Sequence, residues 1–500
     1  MLRAMIGKLV MVDIPGTTLE AGTRAHLERY QPGGVILFRK NIASFEQTRD
    51  LIADLKSILG EELLVAIDGE GGGVWRMNFL PHAPSAASLG AGDDESTTFE
   101  VGRAVARGLR AMGFNWNFAP VLDVNNNPLN PVISDRSFGE DPAHVARMGA
   151  AWARGLMREG VAACAKHFPG HGDTALDSHH ALPTVIKDLA TLEGLEFLPF
   201  RETLSLMPSI MTAHIVYPAL DSLPATLSKP ILTGLLRERW GYDGVIVTDS
   251  MGMAAVEAGW GRGEAAVLSV LAGADMLEGL GRQSAQEATF DALEAAERDG
   301  RIPKAQIERS AARLQALARD YPSAPLEYTA AEMDADRALM QGAWRSGVVA
   351  VGEVRLPAAG EAVTLVAPRE VPGENVSELG ISGERLARAL EGVYRVRSVL
   401  FDAEQPLEAL PKVRAAQARG ETLVFATTTR RRLSQDARAL ALETKPHLHL
   451  ALWNAYNVQD VPAPALVTFG YRPEAIAALL EVLRGAPVTG RAPVRLRVAE

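Results

Sequence analysis

The stretch Val161-Ala162-Ala163-Cys164-Ala165-Lys166-His167-Phe168 runs directly into Pro169-Gly170-His171-Gly172-Asp173-Thr174. Its first part is apolar almost throughout, as expected of a parallel strand covered on both faces. Glycine and proline interrupt the second part, which therefore reads as a loop and not as the face of a helix. With Asp177-Ser178-His179-His180 just beyond, the segment holds four of the ten histidines within fourteen residues. Titratable groups packed that densely burden a purely structural segment. Acid–base chemistry, or a metal, would need them.

The same unit recurs along the chain. Further apolar, β-branched runs are Ile6–Ile14, Gly34–Phe38, Leu63–Asp68, Asn115–Val124, Ser209–Val216, Gly244–Asp249 and Ala274–Leu277. Helix signals lie between them. Thr97-x-x-Glu100 reads as a capping box ahead of Val101, Val105, Leu109 and Met112. Asp141-Pro142 reads as an N-cap with proline at the first helical position. Eight strand-then-helix units in even succession predict an α/β fold of the (β/α)8 type, whereas a doubly wound sheet rarely needs eight strands in such order. Polar residues fall where such a barrel builds its site. Asp68 ends the third run, Asp123 the fourth, Lys166 and His167 the fifth, His214 the sixth and Asp249 the seventh. Any one of these could be a turn or cap residue. Five consecutive strands ending this way mark a site at the C-terminal rim.

After Asp320 the pattern changes. Tyr321-Pro322-Ser323-Ala324-Pro325 reads as a linker, and Ala331 to Gly347 as a connecting helix. Alternation then resumes in Val363–Ala367, Val396–Phe401, Thr422–Thr427, His447–Leu452 and Ala465–Phe469, predicting a smaller doubly wound α/β sandwich of about five strands. The expected division is a barrel over residues 1–320, a linker and helix over 321–347, and the sandwich over 348–500. The sandwich carries neither a G-x-G-x-x-G nor a Walker loop, so no nucleotide is expected there. Arg430-Arg431-Arg432 reads as a solvated helix start.

Composition sets the outer limits. Five hundred residues exceed one ordinary core, and the 47% apolar and 22% charged fractions are those of a soluble globular protein. A net charge of -10 and a pI near 5.6 argue against nucleic-acid or anionic-membrane partners. The one cysteine, Cys164, sits in an apolar run and reads as a small buried hydrophobe. No run approaches the length of a membrane helix. Lys8 and Asp13 interrupt the apolar run of Met1–Ile14, and no small-x-small cleavage site follows. That segment is expected to be the first strand, and the protein to be cytoplasmic.

Two chemistries compete for the histidine-rich loop. In one, His167, His171, His179 and His180 with Asp173 and Asp177 bind a metal for hydrolysis, although no helical H-x3-H pair is present. In the other, Asp177 and His179 form a dyad, because residues two apart in an extended segment point the same way. The carboxylate would fix the imidazole tautomer and leave the other ring nitrogen to give or take a proton. Asp249 could then attack the anomeric carbon while the dyad protonates the leaving oxygen. No cofactor is needed for that route.

Lys166–Thr174 with Asp177-Ser178-His179, together with Thr248-Asp249-Ser250-Met251-Gly252-Met253, resembles the bacterial β-N-acetylglucosaminidase branch of glycoside hydrolase family 3. Ile67-Asp68-Gly69-Glu70-Gly71-Gly72, Phe118–Val124, Arg136-Ser137-Phe138-Gly139 and Met211-Thr212-Ala213-His214 extend the likeness, in order, over about residues 5–320. The resemblance implies a retaining exo-acting enzyme with Asp249 as nucleophile and His179, oriented by Asp177, as acid/base. It also implies that Asp68, Arg76, Arg136, Lys166 and His167 hold the terminal GlcNAc of a peptidoglycan-derived fragment. Some members of the family are phosphorylases, so a phosphate acceptor is the alternative. Glu70 reads as a partner of these groups rather than a catalyst, and His171 and Asp173 as braces of the loop. The family commonly has arginine after the paired glycines, where this chain has Gly73, which bears on the geometry around Asp68. The sandwich resembles the domain appended in many family members and is expected to be non-catalytic.

Overall fold

Alternation along very short strands sorts the first half of the chain into an inside and an outside. In the computed structural model, which describes residues 2–174, 182–371 and 380–499, Val10 and Val12 pack outward against helices while Met11 between them faces inward. Ala162 and Cys164 likewise face in, and Ala163 and Ala165 face out. Period-2 side-chain direction produces both layers from one strand.

The strands of this half are β1 (Val10–Asp13), β2 (Gly34–Ile36), β3 (Leu64–Ile67), β4 (Trp116–Asn117), β5 (Ala162–Phe168), β6 (Ser209–Thr212), β7 (Val245–Val247) and β8 (Leu277–Glu278). Neighbours pair in parallel in the order β7-β6-β5-β4-β3-β2-β1-β8. A parallel bridge between Val247 and Met276 joins the two ends and closes the barrel. Its interior is filled by Met11, Ile36, Leu64, Trp116, Phe118, Met211 and Met276, so the barrel is a packed core with its site on top.

Three expectations are corrected. The segment Ile6–Ile14 is strand only from Val10, because Leu2–Gly7 forms a helix that buries Ile6 beneath the barrel. An apolar run that short has no period to tell helix from strand. The segment Asn115–Val124 is strand only at Trp116–Asn117, since Pro120 has no N–H to donate. The helix expected to start at Thr97 starts at Glu95. Asp94 caps it, accepting from Ser96 N at 2.9 Å and from Thr97 Oγ1 at 2.6 Å. By contrast, Asp141 does cap the helix Pro142–Arg158 through His144 N at 2.8 Å.

The second half forms a six-stranded sheet from β9 (Val349–Val351), β10 (Ala362–Pro368), β11 (Arg395–Phe401), β12 (Thr422–Thr427), β13 (Leu448–Ala451) and β14 (Ala465–Val467). Its order is β11-β10-β12-β13-β14-β9, parallel except for β9, which runs antiparallel on the edge and has no counterpart among the runs expected from the sequence. The helix Ala330–Ser346 packs against barrel helices Ala86–Gly92 and Glu95–Met112 and against Pro473–Leu483 of the second half. Among the described residues no helix is long and apolar enough to cross a membrane.

Candidate active site

The C-terminal rim of the barrel opens into a cavity of about 700 Å³. Asp68, Arg76, Arg136, Lys166, His167 and Asp249, six of the residues singled out in the sequence, all line it. Asp177 and His179 lie outside the described residues, as does His180.

Lys166 enters the cavity by strand alternation from inward-facing Cys164. His167, one residue on, would then face outward, but the register of β5 against β6 shifts between Ala165 and Phe168, and His167 lines the cavity too. The Lys166–His167 peptide bond is cis. Lys166 Nζ donates to Asp68 Oδ1 at 2.8 Å and lies 2.6 Å from Glu70 Oε1. Arg136 grips Glu70 with both arms, Nε to Oε2 at 2.7 Å and Nη2 to Oε1 at 2.8 Å. Arg76 Nη2 lies 3.6 Å from Asp68 Oδ2. Cations and carboxylates therefore alternate around this wall, and the planar fork of Arg136 has one fixed orientation.

The charges are stable because each is answered. Burial alone would raise the Glu70 pKa, yet the charges and hydrogen bonds of Arg136 and Lys166 outweigh it and hold the carboxylate well below its usual range. Burial would likewise lower Lys166, but Asp68 and Glu70 push it above the usual lysine range. Glu70 thus pairs with two cations and does not itself line the cavity. Removing it leaves those cations buried and under-paired. Glu70→Ala is expected to destabilise the fold by about 3–5 kcal/mol in denaturant unfolding. Stability from a carboxylate with a depressed folded pKa is present above its unfolded value and is lost as pH falls through the folded one. Below about pH 4.5 the unmodified protein should therefore lose stability more steeply than Glu70→Gln.

His167 is fixed from behind. Its Nδ1 is 2.7 Å from Asp123 Oδ2, and Asp123 Oδ1 accepts from His167 N at 3.1 Å and from His171 N at 2.6 Å. Burial would raise Asp123, but His167 and these bonds hold its carboxyl below the ordinary value. The other ring nitrogen of His167, Nε2, meets Arg136 Nη2 at 3.4 Å. His171 is buried, and burial with the nearby His167 pushes it down to about 4, so it is neutral near pH 7. Its Nδ1 meets Thr174 Oγ1 at 2.9 Å, while Asp173 pairs with Lys187 at 2.9 Å. Both are thus held by side-chain partners on or beside the loop. Gly172 is required there, because a Cβ would lie 1.6 Å from the Val124 carbonyl oxygen. Of the described members of the proposed metal set, His167 and His171 each spend a ring nitrogen on a protein partner and Asp173 pairs with Lys187. Among the described residues no group of three or more His, Cys, Asp or Glu could hold a metal ion.

Asp249 follows β7, and its Oδ1 accepts from Ser250 N at 2.7 Å. His214 lies buried beside this loop, with its Nε2 3.0 Å from the Ser250 carbonyl oxygen. It supports the backbone next to Asp249 and does not line the cavity. Cys164 is buried, and desolvation pushes its thiol up to about 12. An acid that the sequence pattern did not single out, Glu278 on β8, also lines the cavity.

The second half buttresses the loop that carries Arg136. Trp453 Nε1 donates to Asp135 Oδ1 at 3.0 Å, Tyr456 OH donates to Asn125 O at 3.0 Å, and Arg430 donates to the Val132 carbonyl. Arg430 is therefore buried and not a solvated helix start. Arg432 is also engaged, in a paired grip on Asp460 at 2.6 and 2.7 Å. Spacing alone gives no sign that a carboxylate more than a hundred residues away, Asp135, needs the Arg430 charge nearby.

A closed parallel barrel whose rim cavity is lined by an aspartate together with alternating cations and carboxylates has the layout of a hydrolase for polyhydroxylated substrates. The family model for the glycosyl hydrolase family 3 N terminal domain matches residues 1–317, and the chain belongs to that family of glycoside hydrolases. A beta-hexosaminidase of Chromobacterium violaceum is 39% identical over 276 residues, covering 54% of this chain and 77% of that protein. Beta-hexosaminidase A of Pseudoalteromonas piscicida is 40% identical over 287 residues, and there the match spans 52% of this chain and 48% of the relative. A solved family 3 beta-N-acetylglucosaminidase from Paenibacillus sp. str. FPU-7 superposes with a TM-score of 0.91 at 34% identity, covering 100% of both chains.

Proposed function

We propose that the chain is a retaining exo-β-N-acetylglucosaminidase that removes terminal, non-reducing β-GlcNAc from peptidoglycan-derived fragments. In this reading Asp249 attacks the anomeric carbon to form a glycosyl-aspartate. His179, oriented by Asp177, protonates the departing oxygen and then deprotonates the incoming water. Asp68, Arg76, Arg136, Lys166 and His167 seat the terminal sugar.

The observation that carries the reading is the shared cavity: Asp249 opens into the same space as all five of those groups. A sugar ring offers hydroxyls that both donate and accept, so alternating cations and carboxylates can fix its orientation through several directed bonds. Asp68 accepts, Lys166 and Arg76 donate, and their mutual contacts hold them in place before a ligand arrives. The choice of β-GlcNAc leans on the relatives, one named a beta-hexosaminidase and one a beta-N-acetylglucosaminidase. Imidazole suits the acid/base role, since its reference pKa of about 6.5 lets it cycle near neutrality.

We extend the proposal to the division of labour in the chain. Residues 1–320 form the catalytic unit, 321–347 the connection, and 348–500 a non-catalytic brace. Support comes from Trp453, Tyr456 and Arg430, which all bond to the backbone or carboxylate of the loop 125–136.

The test is product analysis on a GlcNAc–anhydromuramyl fragment with and without inorganic phosphate. Free GlcNAc in both conditions is the expected result. GlcNAc-1-phosphate on adding phosphate would make the enzyme a phosphorylase, and no release of GlcNAc would overturn the substrate assignment.

A further inference from the structure

Glu278 is an expensive residue in its position. Leu277 packs outward among the barrel helices, so alternation turns Glu278 inward, into the cavity that Asp249 and Lys166 line. It is 4% exposed, and its Oε1 is buried with no hydrogen-bond partner among the described residues. Its backbone is clamped to the loop that carries Asp249: Glu278 N donates to Thr248 Oγ1 at 3.0 Å, and Met251 N donates to Glu278 O at 2.9 Å. The backbone that carries the carboxyl is therefore fixed beside the cavity. A buried polar group left unsatisfied costs free energy that an apolar side chain of similar size would not.

We infer that Glu278 is a ligand contact, whose carboxyl hydrogen-bonds a polar substituent of the sugar seated between Lys166 and Asp249 and helps set which sugar is accepted. The inference rests on the cavity being the sugar site and names a residue for it that the family motifs do not include. Its surroundings favour the neutral form. Burial, with the negative charges of Asp249, Asp68 and Asp13, raises its pKa well above the usual glutamate value, and Lys166 opposes only in part. A protonated carboxyl offers one O–H donor and one carbonyl acceptor, a matched pair for a hydroxyl or an amide. It also avoids adding another negative charge beside the attacking aspartate. A site built around such a bond rejects analogues that lack the partner, because the buried group is then left unpaired.

The charge state and the cost of burial together give a signature that a structural role would not. Glu278→Gln preserves size and hydrogen-bonding capacity without a charge, and should keep kcat/KM within about threefold of the unmodified enzyme. Glu278→Met fills the same space with an apolar chain, and should lower kcat/KM about tenfold or more while raising the thermal midpoint. Glu278→Ala supplies the same kinetic reading if methionine does not fit. Kinetics are compared on whichever aryl β-glycoside, GlcNAc or glucose, the unmodified enzyme turns over, so a wrong choice of sugar leaves the comparison intact. Unchanged kinetics in the methionine and alanine variants would overturn the inference. So would a glutamine variant as impaired as the methionine one, or a methionine variant that melts lower with activity intact.

Discussion

Asp249→Asn is expected to abolish turnover of an aryl β-GlcNAc, with kcat falling by at least about 10⁴-fold while the thermal midpoint stays close to that of the unmodified enzyme. The amide keeps the shape of the side chain and can still occupy the place from which Asp249 Oδ1 accepts the Ser250 N–H at 2.7 Å. It cannot supply the negative oxygen that closes on the anomeric carbon. The loop is independently held by His214 at the Ser250 carbonyl and by Thr248 and Met251 against β8, so the substitution should leave the rim in place. Loss of activity with the fold intact would separate a chemical role from a structural one. Activity near normal would remove Asp249 from the mechanism.

The second large effect concerns His179. Protonation of the leaving oxygen matters most when that oxygen is basic, as in a sugar, and least when it departs as an acidic phenol. His179→Ala should therefore lower kcat/KM by about 10²–10⁴-fold on a GlcNAc disaccharide, and by far less on a nitrophenyl glycoside. The ratio kcat/KM is the quantity to compare, because it reports steps up to the first irreversible bond cleavage and leaves out hydrolysis of the intermediate. Equal losses on both substrates would speak against an acid. Asp177→Asn should show the same pattern more weakly, since the carboxylate acts only through the ring it orients.

These two experiments bear on parts of the site that differ in how they can be read from the chain. The barrel is legible because parallel strands buried on both faces are apolar runs, and because Asp68, Lys166, His167 and Asp249 stand where those runs stop. The pairings are not. Glu70 with Arg136, and Asp123 with His167, join residues far apart in sequence, and the parallel pairing of β3 with β4 and of β4 with β5 brings them together. The buried Arg430 misleads because three consecutive arginines look solvated in sequence, whereas burial here is decided by the contact between the two halves. The departure at Gly73 falls in the same place: its backbone lies near Asp135, whose side chain meets Trp453 and the charge of Arg430.

Glu278 is the instructive omission. The rule that finds Asp249, an ionisable residue directly after an apolar run, applies equally to Glu278 after Ala274–Leu277. The pattern stops the eighth run at Leu277, one residue short of the strand's end, and strand ends are the least certain feature of any sequence pattern. The edge strand β9 escapes for a related reason, being three residues long and antiparallel in a sheet that is otherwise parallel.

A retaining mechanism of this kind requires a covalent bond between Asp249 and the sugar. In a fluorinated GlcNAc analogue with a good leaving group, the fluorine slows both steps and the leaving group restores the first, so the glycosyl-enzyme should accumulate and survive digestion. Mass spectrometry of the resulting peptides should place one added sugar residue on Asp249. An unmodified Asp249 peptide from enzyme that the analogue has inactivated, or the sugar carried on another side chain, would contradict it.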